Sequence, residues 1–170
     1  MLGVKIIPHT FNNDERGYFK KIYTATEHED FLKGGFKEIF YTKTLKHCVR
    51  GFHLQTDAAE NQRLIKVIEG SVRDFLLDLR PSSVTYGEVQ EFQLDENSYS
   101  LLVPPGVAHA FYALETSTLL YATTSVYNPK FDTGVRFDSV IDTAGMNISH
   151  ISVRDLALPT LKEYQTRSND

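Results

Sequence analysis

Two histidines carry the densest chemistry in the chain. The first lies in Val49-Arg50-Gly51-Phe52-His53-Leu54-Gln55, the second in Val103-Pro104-Pro105-Gly106-Val107-Ala108-His109-Ala110-Phe111. On a strand, alternation sends Arg50, Phe52 and Leu54 to one side and Gly51, His53 and Gln55 to the other. A polar inward face is costly unless it lines a ligand cavity. An imidazole in such a cavity is a candidate general base, because its ordinary pKa of about 6.5 lies near working pH. Such a base needs an acid partner, and Tyr121 and Tyr127 are the candidates. Each tyrosine alone reads equally as a half-buried aromatic with its hydroxyl at a rim, and each histidine alone as a hydrogen-bonded structural residue. His53, Gln55 and His109 make a poor metal set. No second histidine stands beside His53, and Glu60 lies in Thr56-Asp57-Ala58-Ala59-Glu60-Asn61-Gln62, which reads as a solvated loop.

The elements that must position these residues are strands. From Phe36 onward, short runs of β-branched and aromatic residues alternate with turn residues, the pattern of an all-β sandwich or barrel. The clearest runs are 39–44, 63–68, 72–79, 89–94, 99–103, 110–114 and 119–127. Glu69-Gly70 predicts a hairpin, since glycine reaches positive φ without steric cost. Arg80-Pro81-Ser82-Ser83 and Asp95-Glu96-Asn97 punctuate the next two connections. Pro104 and Gly106 form a turn that delivers His109 to the start of a strand. Ala25 to Lys33 reads as a helix capped by Thr26 with acidic residues in its first turn. The segment Asp155 to Thr166 holds a short helix limited by Pro159.

With 170 residues, 41% of them hydrophobic and no linker or repeat, the chain reads as a single domain, 1–170. Eighteen Lys and Arg against 22 Asp and Glu give a net charge of −4, which supplies no basic face for a nucleic acid. A few arginines focused in one cleft can still hold the phosphates of a small anionic molecule. The lone Cys48 excludes an intrachain disulfide and points to a reducing compartment. No window reaches the ~20 apolar residues of a membrane span, and a cytoplasmic protein is expected.

Arg-Gly-x-His followed by Pro-x-Gly-x-x-His resembles the two-part signature of the cupin superfamily, small jelly-roll barrels, also called double-stranded β-helices, that bind ligands inside. More closely, the chain resembles the dTDP-4-dehydrorhamnose 3,5-epimerases over roughly Asp14 to Pro159. The shared motifs are Asp14-Glu15-Arg16-Gly17-Tyr18-Phe19, Val49 to Gln55, Gly70 to Asp74 with Asp78-Leu79-Arg80, Val103 to Phe111, Leu120 to Thr124, Tyr127-Asn128-Pro129 and Ile151-Ser152-Val153-Arg154-Asp155. Seven segments in the right order make a specific signal.

The resemblance implies an all-β cupin barrel with short peripheral helices and an isomerase of deoxysugar nucleotide biosynthesis. Such an enzyme inverts carbons beside a C4 ketone through an enolate, with no cofactor and no metal. It places His53 on the catalytic base, Asp155 on its carboxylate partner and Tyr121 on the opposite-face acid. Arg16 and Arg50 fall on the arginines that hold the diphosphate, Phe19 on an aromatic near the nucleotide, and Asp74 and His109 on the sugar pocket. Gln55 and Tyr127 join them as substrate-binding candidates. The implied partner is a nucleotide-diphosphate sugar, and the implied assembly a homodimer in which an N-terminal segment reaches the neighbouring sheet. Departures are Arg63 where the family carries a lysine, Glu38 and Phe40 where it carries Gln-x-Asn, Lys21 where it is acidic, and Phe137 where an aromatic is expected in a chain without tryptophan. Arg63 keeps a positive charge for an oxyanion but cannot shuttle a proton. Inversion at C3 alone, 3,4-ketoisomerisation of the same sugar, and sugar-nucleotide binding without turnover stand as alternatives. A metal-dependent cupin is disfavoured by the histidine count.

Overall fold

The alternating runs pair as antiparallel strands that stack into two facing sheets. The computed structural model describes residues 3–27 and 34–167. Its strands are β1 (Lys5–Ile7), β2 (Thr10–Asp14), β3 (Gly17–Lys21), β4 (Glu38–Thr44), β5 (Cys48–Gln55), β6 (Arg63–Glu69), β7 (Ser71–Asp78), β8 (Val89–Asp95), β9 (Ser100–Val103), β10 (Val107–Ala113), β11 (Ser117–Thr123), β12 (Asp132–Gly134) and β13 (His150–Ile151). Two short helices follow, α1 (Val153–Leu156) and α2 (Leu161–Arg167). One sheet runs β1-β9-β6-β11-β4 and the other β12-β5-β10-β7-β8, with β13 also against β5. β2 and β3 form a separate two-stranded arm. This is the jelly-roll barrel that the sequence predicts.

The two sheets are buried differently, and the chain's patterning explains why. Between them lie Ile65, Val67, Leu101 and Leu119 from the first sheet against Val72, Leu76 and Phe111 from the second. The second sheet is apolar on its outer face as well, where Phe52, Leu54, Phe75, Leu77, Ala108, Ala110 and Tyr112 meet Val135 and Phe137 from the chain beyond β12. Leu161 and Tyr164 of α2 close over the same face. Strands covered on both faces read as continuous apolar runs rather than alternating ones, and every residue of β10 is buried. The C-terminal segment is therefore part of the barrel's packing.

Glu69-Gly70 does join β6 to β7, with Gly70 at φ 81°, but the expected hairpin is not formed. β6 pairs with β9 and β11 and β7 with β8 and β10, so the turn is a corner at which the chain crosses from one sheet to the other. The tail divides at Pro159 into α1 and α2, as a residue that cannot continue a helix requires. The expected 25–33 helix is seen only as a 3-10 turn at Ala25–Glu27, and its remainder lies outside the described residues. The run 119–127 ends as a strand at Thr123, which leaves Tyr127 in the following loop. Loop 79–88 is fastened by buried Asp78, whose carboxylate accepts from Arg80, Ser83 and Thr85.

Candidate active site

A cavity of about 380 Å³ opens between the sheets, and most of the residues with chemical potential converge on it. His53, Arg50 and Gln55 come from β5, His109 from β10, Arg63 from β6, Tyr121 from β11 and Tyr127 from the loop after it. Simple alternation would put Arg50 and His53 on opposite faces of β5, and here the structure corrects the sequence reading. His109 pairs with His53 while Phe111 pairs with Arg50, so three residue steps on β5 match two on β10. The extra residue is a bulge, which re-aims side chains at a strand's edge. It turns both the cation and the imidazole into the cavity. Gly51 sits inside it at φ 105°, where a Cβ would lie 2.4 Å from the His109 carbonyl oxygen.

β13 covers Cys48 and Val49 on the outer edge of β5, and β12 covers His53 to Gln55. In the gap between them the Gly51 N–H donates to Asp155 Oδ2 at 3.1 Å. The other oxygen, Asp155 Oδ1, takes His53 Nε2 at 2.9 Å. Asp155 belongs to α1, whose cap Ser152 accepts the Asp155 N–H. Burial pushes the Asp155 carboxyl up, but the His53 hydrogen bond and charge, with Gly51 and Ser152, outweigh it and hold the group below the usual carboxylate range. An ionised Asp155 keeps the ring proton on Nε2 and leaves the Nδ1 lone pair as the basic nitrogen.

On the opposite sheet, Tyr121 is 6% exposed and stacks on Phe40 with ring centroids 5.0 Å apart. Burial and the nearby Asp74 charge raise its pKa, against the pull of Arg63 and Arg50, so the phenol stays protonated through the neutral range. His109 lies edge-on to Tyr121 at 5.8 Å and bonds Asp74 Oδ2 at 2.6 Å, both groups buried at the cavity floor. Gln55 Oε1 accepts from the Asn128 N–H, while its buried Nε2 has no protein partner. At the mouth, Arg50 Nε donates to Thr44 Oγ1, and Asp132 Oδ2 accepts from Tyr127 Oη and Arg154.

Arg16 and Phe19 are not brought to this cavity. Both lie on the β2–β3 arm, Arg16 paired with Asp14 at 2.6 Å with its side chain 88% exposed, and Phe19 58% exposed. Asp74 and Asp155 stand behind the lining histidines. Glu60 is exposed outside the cavity, and among the described residues no three His, Cys, Asp or Glu cluster to hold a metal ion. No helix among them is long and apolar enough to cross a membrane. Sequence reasoning missed Asp132, Arg154 and Thr42 as lining residues. Arg154 carried a signal, as the neighbour of Asp155; Asp132 arrives only through the pairing of β12 with β5.

Residues 1–163 match the family model described as dTDP-4-dehydrorhamnose 3,5-epimerase. The chain belongs to that family. It is 34% identical over 139 residues, 80% of this chain and 75% of the relative, to the dTDP-4-dehydrorhamnose 3,5-epimerase of Methanothermobacter thermautotrophicus. The crystal structure of the Elizabethkingia anophelis epimerase superposes with a TM-score of 0.84 at 31% identity, covering 95% of this chain and 92% of that one. A Legionella pneumophila 3,5-epimerase, solved with dTDP-4-keto-L-rhamnose, superposes with a TM-score of 0.85 at 25% identity over 94% of this chain and 93% of that one. As a family member the chain is an isomerase, an epimerase of nucleotide-linked 4-keto-6-deoxyhexoses.

Proposed function

We propose that this epimerase acts on a dTDP-linked 4-keto-6-deoxyhexose and inverts C3 and C5 by proton abstraction and reprotonation through an enolate. The observation that carries the reading is the placement of His53 and Tyr121 in one cavity on opposite sheets, with Asp155 behind the histidine. A sugar ring lying between the sheets presents one face to each group. His53 Nδ1 takes the proton beside the ketone, and the bonding pair moves into the ring while the carbonyl π pair moves onto O4. Arg63 lends positive charge to that oxyanion. Tyr121 delivers its phenolic proton from the other face, which converts exchange into inversion, and solvent resets both groups. Buried His109 and Asp74 hold a sugar hydroxyl at the floor, Gln55 Nε2 donates to the sugar, and Tyr127 supports the nucleotide side. Arg50 at the mouth binds the diphosphate, as a guanidinium fork suits paired phosphate oxygens.

Arg16 and Phe19 enter this reading through a homodimer, each arm reaching the partner's cavity. Supporting it are the separate β2–β3 arm with exposed Phe11, Tyr18 and Phe19, and the edge strand β4 with exposed Ile39 and Tyr41. A solution mass of twice the chain, together with weaker substrate binding by Arg16→Ala, is the expected result; a monomer of full activity refutes the arrangement.

The activity is tested by proton NMR of dTDP-4-keto-6-deoxyglucose in deuterium oxide. The wild type removes the C3 and C5 hydrogen signals and His53→Ala removes neither. Exchange by His53→Ala at the wild-type rate overturns the assignment of the base.

A further inference from the structure

Arg63 is a charge that no carboxylate among the described residues contacts, although Asp132 and Asp74 lie near enough to favour it. Its guanidinium lines the cavity, and its hydrogen bond within the protein runs from Nη1 to the His53 carbonyl oxygen at a long 3.4 Å. No carboxylate among the described residues lies within ion-pair distance of it, whereas Arg16, Arg73, Arg80, Arg136 and Arg154 each hold an aspartate or glutamate. A partly buried cation kept without a partner is destabilising unless a ligand supplies oxygens. A guanidinium answers best to two oxygens in one plane, since its donors form a rigid planar fork. Its attachment to the backbone of the base residue itself places that fork at the reacting end of the cavity.

The two enolates open to the substrate differ in what lies beside O4. When the C3–H bond breaks, the proton passes to His53 Nδ1, the bonding pair forms C3=C4 and the carbonyl π pair moves to O4. O3 and O4 are then coplanar and on the same side of the double bond. When the C5–H bond breaks instead, the double bond is C4=C5, and the group on the same side as O4 is the C6 methyl; the ring oxygen points away. The first enolate offers a fork two oxygens, the second only one.

We propose that Arg63 is a specificity-determining residue whose fork donates to O3 and O4 together as the C3 proton leaves, so that C3 is deprotonated faster than C5. The proposal rests on the epimerase reading above and says which position that chemistry favours. Because the paired contact is completed as the carbons become planar, it acts on the transition state more than on the bound ketone.

The test compares initial rates of C3 and C5 hydrogen loss in deuterium oxide for the wild type and Arg63→Lys, with dTDP-4-keto-6-deoxyglucose. Lysine keeps the charge and removes the fork. The wild type exchanges C3 faster, and Arg63→Lys lowers the C3-to-C5 ratio by about tenfold, the size of one charge-assisted hydrogen bond lost from a transition state. A second arm needs no variant: the wild type with the 3-deoxy analogue, which lacks O3, loses its preference for C3. Equal C3 and C5 rates in the wild type overturn the proposal and leave the epimerase standing. So does a ratio that neither the lysine nor the missing O3 alters. Exchange at neither position by the wild type overturns both readings.

Discussion

Replacing Asp155 with asparagine isolates what the carboxylate does for His53. The carboxylate accepts two N–H groups, His53 Nε2 at 2.9 Å and Gly51 N at 3.1 Å, and an amide of the same shape offers one acceptor. If the amide oxygen keeps Gly51, its NH2 faces Nε2. The imidazole must then accept there, its proton moves to Nδ1, and the cavity meets a donor instead of a base. If the oxygen keeps His53, the NH2 abuts the Gly51 N–H, and a buried donor pair left unsatisfied costs about 1–3 kcal/mol. The first arrangement removes a general base worth about 10²–10⁴-fold in rate. The second lowers the melting temperature by roughly 2–4 °C per kcal/mol for a chain of this size. Initial exchange rates in deuterium oxide and a thermal melt on the same sample separate the two. A folded Asp155→Asn that exchanges at the wild-type rate with an unchanged melt refutes the pairing.

Three further outcomes follow from the same geometry. Tyr121→Phe lowers net inversion more than hydrogen exchange, because His53 still removes the proton; equal losses of both, read by NMR of product and of label, contradict the assignment of the opposite-face acid. Gly51→Ala destabilises by several kcal/mol, since its Cβ would meet the His109 carbonyl at 2.4 Å and its φ of 105° disfavours a side chain, and chemical denaturation checks it. Lys66, buried in β6 and donating to the carbonyls of Asp95, Glu96 and Ser98, has its pKa lowered by burial and by Lys20 to about 8 from 10.5. Between those values the unfolded chain binds more protons, so wild-type stability relative to Lys66→Met rises with pH across the window. A flat difference across that window, measured by urea unfolding, argues against a titrating Lys66.

Most of the barrel was legible because its strands are local patterns bounded by turn residues, and Gly70 and Gly106, both at positive φ, sit where the chain crosses from one sheet to the other. Pairing over distance is not a local pattern. The bulge that turns Arg50 and His53 together depends on β10, which the sequence of β5 does not contain, so strict alternation misread Arg50. Asp155 was found through a family motif, since nothing in its spacing from His53 speaks of contact. Asp132 enters the cavity by a strand of three residues, too short to leave a pattern. Arg16 and Phe19 mark the opposite case, a recognisable motif that the single chain leaves exposed and away from the cavity, and to which only the proposed homodimer gives a use.

The partnership of His53 with Asp155 also has a timing. The two residues are 102 positions apart, and the segment that brings Asp155 to the bulge is the same one that covers the outer face of the second sheet. During synthesis the ribosome releases the histidine 102 residues before its carboxylate, so until that segment docks the imidazole lacks the partner that orients it. On the proposed mechanism, competence to move a proton arrives with the docking of α1. A barrel made without that segment would, on the same mechanism, turn over no ketosugar.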